Sequence, residues 1–84
     1  MKELFKNAKR MTIGEFNNAY GVKYQGKMEI EKFIDYIESE GMKYLYASYC
    51  ANDVATECEI LYEEMGLEID DVVCVDGLYL ALFK

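Results

Sequence analysis

Cys50, Cys58 and Cys74, together with sixteen carboxylates, are the side chains of this chain to weigh first for chemistry, because it contains no histidine. That absence removes histidine bases, Ser-His-Asp and Cys-His nucleophile systems and histidine metal sites. Cys50 falls where a strand-like stretch gives way to a helix, and a helix N-terminus can lower a thiol pKa, so it is the one nucleophile candidate. No partner base accompanies it. Cys50 and Cys58 are separated by seven residues rather than two to four, and zinc would need a carboxylate as fourth ligand. No P-loop, G-x-G-x-x-G or EF-hand loop occurs, and "EIDDVVCVDG" lacks the alternating oxygen ligands of a calcium loop. The expectation is therefore no catalytic residue, no metal, no cofactor and no enzyme activity. An odd number of cysteines without framework spacing fits a reducing compartment, with each thiol expected to be a small buried hydrophobe.

The carboxylates are more informative. Asp53, Glu57, Glu59, Glu63 and Glu64 fall in the helix expected over 53–65, which has no lysine or arginine. A surface helix normally intersperses both signs at i, i+4, each pair adding about 0.2 to 0.5 kcal/mol, and that support is missing here. Five charges over thirteen residues correspond to about one per 4 Å of helix axis, close to the roughly 3.4 Å per charge along one DNA strand. Glu29, Glu31, Asp35, Glu38 and Glu40 face Lys32 alone in the preceding helix, a net of −4. Residues 1–32 carry seven bases against four acids, and residues 33–84 carry two bases against twelve acids. Such a field repels phosphate and membrane surfaces and attracts basic partners. A solvated face serving only solubility is the competing explanation.

The elements that position these groups follow from periodicity. Thr12 and Glu15 form a T-x-x-E capping box, Ile13, Phe16 and Tyr20 fall at helical spacing, and Gly21 suits the residue just past the end. A helix over 12–20 is favoured, although Asn17 and Asn18 also allow a hairpin. Leu4, Phe5, Ala8 and Met11 suggest a further helical turn or two before it. Ile30, Phe33, Ile34 and Ile37 form an i, i+3, i+4, i+7 stripe that predicts a helix over 28–40, with Gly41 as its stop. "KYLYASYC", residues 43–50, alternates as a strand. Asn52 is the expected cap of the helix 53–65, whose buried stripe is Val54, Cys58, Leu61 and Met65, with Gly66 ending it. "DVVCV" and "LYLALF" flank Asp76-Gly77, the signature of a two-residue type I′ hairpin.

The fold class is thus α+β, a single small domain over 1–84 with about three helices packed on a three-stranded sheet that ends in a C-terminal β-hairpin. A composition of 52% hydrophobic and 30% charged residues supports one compact globule without linkers or repeats. No apolar run approaches the roughly 18 residues of a membrane span, and "MKELFKNAKR" lacks a signal-peptide core, so a cytoplasmic location is expected.

The first two helices do not suit a DNA-reading pair, because their spacer exceeds three to four residues and the second helix would be repelled by phosphates. Direct nucleic-acid binding and membrane binding are not expected. Tyrosine is abundant, with 8 in 84 residues, and enriched at protein interfaces. An RNA-stacking sheet is disfavoured by the acidity and the lack of a basic-aromatic segment.

The reading that results is a small acidic, non-enzymatic binding protein. It would inhibit a partner by occupying its basic, nucleic-acid-binding surface, in the manner of anti-defence proteins (anti-CRISPR or anti-restriction-like, from phage or mobile elements) or of immunity proteins and antitoxins. The partner-binding residues expected are Asp53, Glu57, Glu59, Glu63 and Glu64, with Glu29, Asp35, Glu38, Glu40, Tyr36, Tyr46 and Tyr79. The alternative is a structural adaptor or homodimer that uses a tyrosine-rich sheet face.

Overall fold

A computed structural model of the protein describes residues 5–26 and 29–83. The chain forms β1 (Lys9–Met11), α1 (Ile13–Tyr20), α2 (Ile30–Ser39), β2 (Tyr44–Ser48), α3 (Ala51–Met65), β3 (Ile69–Val75) and β4 (Leu78–Phe83). The α+β class holds, with three complete helices among the described residues. The sheet has four strands in the order β1-β3-β4-β2, not three.

The extra strand corrects the expected helical start. Of Leu4, Phe5, Ala8 and Met11, Leu4 lies outside the described residues, Phe5 is helical and buried, and Lys9–Met11 pairs in parallel with β3. Pairing of Lys9 with Val73 and Met11 with Val75 bridges more than sixty residues of chain, and nothing local in "KRM" announces it. It is a short, basic edge strand, a form that resists further strand addition.

Between β1 and the loop that follows, α1 resolves in favour of the helix. Thr12 Oγ1 accepts from the Glu15 N–H at 3.1 Å, the Thr12 N–H reaches Glu15 Oε1 at 3.4 Å, and Gly21 closes the helix at φ 66°. Asn17, a poor helix former, is retained because its amide brackets Tyr24. Its Nδ2 donates to the Tyr24 carbonyl at 3.0 Å, and its Oδ1 accepts from the Tyr24 N–H at 2.9 Å. The β3–β4 hairpin has the expected turn, with Asp76 at φ 51° and Gly77 at φ 80°.

Strand alternation divides the core in two. On one face Leu45, Ala47, Val73, Val75, Leu78, Leu80 and Leu82 pack against Phe16 of α1 and Phe33 and Ile37 of α2. On the other face Val72, Ala81 and Phe83 pack against Val54, Ala55, Cys58 and Leu61 of α3, with Phe5. The sheet is therefore sandwiched, with α1 and α2 on one side and α3 on the other. In β3 the register skips Asp70, so Ile69 joins the α3-side core while Asp71 turns toward α1. No helix among the described residues is long and apolar enough to cross a membrane.

Candidate functional site: the acidic face of the third helix

The buried side of α3 is set by Val54, Ala55, Cys58 and Leu61, which leaves its carboxylates pointing outward. Asp53, Glu59, Glu63 and Glu64 are exposed, and Glu57 is half-buried. Asp53, Glu57, Ile60 and Glu64 recur at i, i+4, i+7 and i+11 along one flank, and Glu59 and Glu63 lie on the other. Among the described residues the one ion pair is Lys32 to Glu29, at 4.0 Å on α2, so no α3 carboxylate has a cationic partner there. Glu63 and Glu64 occupy the last turn of α3, which has no basic residue, so they sit at the negative end of the helix dipole.

Two details of α3 differ from expectation. The helix begins at Ala51 with Cys50 as its N-cap, so Asn52 lies inside the first turn and does not cap; Cys50 makes no side-chain cap bond. The reason is Ser48, whose Oγ accepts from the Cys50 N–H at 3.1 Å and turns the chain into the helix two residues early. Met65 is 61% exposed rather than part of the buried stripe, because Gly66 adopts a left-handed conformation directly after it. The Gly66 N–H donates to the Tyr62 carbonyl at 3.0 Å and the Leu67 N–H to that of Leu61 at 3.4 Å. The chain thereby swings Leu67 onto the core and leaves Tyr62 and Met65 outside.

The remaining expected residues divide: those on or beside α2 do not assemble with this face, whereas Tyr46 and Tyr79 pack beneath α3. Glu29, Asp35, Glu38 and Glu40 are exposed on or beside α2, across the sheet from α3. Tyr36 is half-buried, and its hydroxyl accepts from the Lys23 N–H at 3.2 Å, which ties α2 to the preceding loop. Tyr46 and Tyr79 are half-buried on the sheet face that α3 covers. α3 packs against β2 here, and burial, then the fields of Glu57 and Asp53, raise the Tyr46 hydroxyl pKa. Ile60 and Tyr62, at 39% and 57% exposure, join the face although neither was expected there. The signal available was their position off the Val54, Cys58, Leu61 stripe.

The cysteines divide. Cys58 and Cys74 are buried as expected, whereas Cys50 is exposed, because an N-cap residue projects from the helix end. Burial pushes the Cys58 thiol up to about 11, with Glu57 and Glu59 adding to the shift. The Arg10 guanidinium lies 3.4 Å from the Cys74 sulfur across the β1–β3 pair. Among the described residues no cluster of three or more metal-ligating side chains occurs. Two open cavities of about 300 and 350 Å³ lie at the Asp70 end of the sheet, the first beside Tyr20 and Lys43 and the second beside Asn7 and Lys9. Neither is lined by a residue of the acidic α3 face.

No protein-family model matches the chain, and comparison with curated proteins and with solved structures finds no matching relative.

Proposed function

We propose that this chain is a non-enzymatic inhibitor whose α3 face occupies the basic, nucleic-acid-binding surface of a partner protein, of anti-defence (anti-CRISPR or anti-restriction-like) or immunity and antitoxin type. The observation that carries the reading is the set of five α3 carboxylates without a cationic partner among the described residues. Two of them, Glu63 and Glu64, stand at the helix end where negative charge is unfavourable by about 0.3 to 1 kcal/mol each at low salt. Charges that weaken the helix holding them are explained when a basic groove neutralises them. Chain and partner meet in the cytoplasm, where the thiols stay reduced.

The test passes cytosol of the encoding organism over immobilised wild type and over the Asp53→Lys, Glu57→Lys, Glu64→Lys variant. The expected result is a nucleic-acid-binding protein retained by wild type, released by duplex DNA and by moderate salt, and absent from the variant column. Equal capture by the folded variant, or a partner that DNA cannot displace, overturns the reading.

A further inference from the structure

Tyr62 and Met65 are three residues apart on α3, hence neighbours on its surface, at 57% and 61% exposure. They lie at the end of the helix where the Gly66 turn carries the following chain away toward the core. Of the four large hydrophobic side chains exposed among the described residues, three (Ile60, Tyr62 and Met65) fall within this half of α3. Glu59 and Glu63 border Tyr62 within one helical turn. An apolar pair bordered by carboxylates that have no cationic partner among the described residues does not match a nucleic-acid surface, an anionic membrane or the α3 of a second copy, since phosphate, anionic lipid and a like-charged helix would each be repelled.

We infer that Tyr62 and Met65 form an apolar anchor that docks a cationic amphipathic segment of the partner protein, with Glu59 and Glu63 meeting its basic side chains. The inference rests on the reading of α3 as the partner-binding face and adds to it. Charge brings the basic partner to α3, and the anchor distinguishes that partner from other basic surfaces. Tyrosine supplies a large rigid contact and methionine an adaptable one, the residue chemistry of an interface hot spot.

The probes are two synthetic peptides of equal length and charge, one a lysine–leucine sequence patterned as an amphipathic helix and the other a lysine–serine sequence. Titration into wild type, followed by calorimetry and by amide chemical shifts, is expected to give binding of the lysine–leucine peptide tighter by about tenfold or more, with shifts centred on residues 59–65. The Tyr62→Ser, Met65→Ser variant changes exposed positions only and is expected to bind both peptides equally. Equal affinity of wild type for both peptides, or a preference that survives in the variant, overturns the anchor and leaves the acidic face standing. Binding of neither peptide at low salt overturns the anchor together with the proposed function. Self-association of wild type that disappears in the variant overturns it in favour of a second copy.

Discussion

The Tyr20 hydroxyl donates a hydrogen bond to the Asp71 carboxylate, joining the last residue of α1 to a strand fifty-one residues further along the chain. The bond exists because β3 skips a register at Asp70, which turns Asp71 toward the α1 side of the sheet. Burial, then Asp71 itself, raises the Tyr20 pKa. A hydrogen bond to a charged group is worth about 1.5 to 3 kcal/mol, and its partial exposure argues for the lower end. Tyr20→Phe is therefore expected to lower the urea unfolding free energy by about 1 to 2 kcal/mol at neutral pH. Asp71→Asn, which keeps an acceptor but removes the charge, should cost less. Equal stability of Tyr20→Phe and wild type would show that the bond contributes nothing.

Alkaline pH should unfold the protein earlier than an unperturbed set of tyrosines and thiols would. Cys58 rises from 9.0 to about 11, mainly by burial, and Tyr24 from 10.0 to about 12 by burial and then by the fields of Tyr49 and Asp76. Both groups are neutral when protonated, and the native state holds those protons more tightly than the unfolded chain does. Their stabilisation is present in full below the unfolded values and is lost as pH rises through the folded ones. The thermal midpoint should thus be flat from pH 6 to about pH 8.5 and fall steadily between about pH 9 and 12. Cys58→Ala should flatten the first part of that fall, and an unchanged profile in that variant would assign the loss elsewhere.

Cys50 caps α3 without making a side-chain cap bond, so the helix N-terminus is under-satisfied. A serine there can accept from an N–H of the first turn, and Cys50→Ser is expected to stabilise the protein by about 0.5 to 1 kcal/mol. Partner binding should be unaffected. Loss of function in a Cys50→Ser protein that remains folded would instead make Cys50 a nucleophile.

The features legible in the sequence were those with local causes. Thr12 and Glu15 cap each other, Asp76-Gly77 dictates its turn, and Ile30, Phe33 and Ile37 define the inner side of α2. The features that were not legible depend on distant partners. Lys9–Met11 becomes a strand only because β3 offers an edge beside it, and helical spacing in the same residues pointed the other way. Met65 fits the periodicity of the buried stripe, but the core ends before it and Gly66 turns the chain. Most consequential for the site, charge along the chain carries no information about which side of the sheet a helix covers, so the sequence does not tell whether the two acidic helices share a surface.

That separation yields the sharpest discrimination. α2 packs on the sheet face lined by Leu45, Val73 and Leu80, and α3 on the face lined by Val72, Ala81 and Phe83. The exposed sides of the two helices therefore point away from each other across the sheet. Asp35→Lys, Glu38→Lys, Glu40→Lys on or beside α2 and Asp53→Lys, Glu57→Lys, Glu64→Lys on α3 change the net charge of −7 by the same amount. Long-range attraction to a basic partner is weakened equally in both, so any difference between them reports on docking alone. Exposed charges contribute about 0 to 1 kcal/mol per pair, and of the six positions only Glu57 is half-buried, so both variants should remain folded by circular dichroism, the α3 variant being the less stable. At the docked face, like charges brought together cost several kcal/mol, so the α3 variant should lose affinity by orders of magnitude through faster dissociation as well as slower association. The α2 variant should lose only a few-fold, all of it in the association rate. Equal losses in both would mean that the acidity acts only as a diffuse field, and a larger loss in the α2 variant would move the binding face to the opposite side of the sheet.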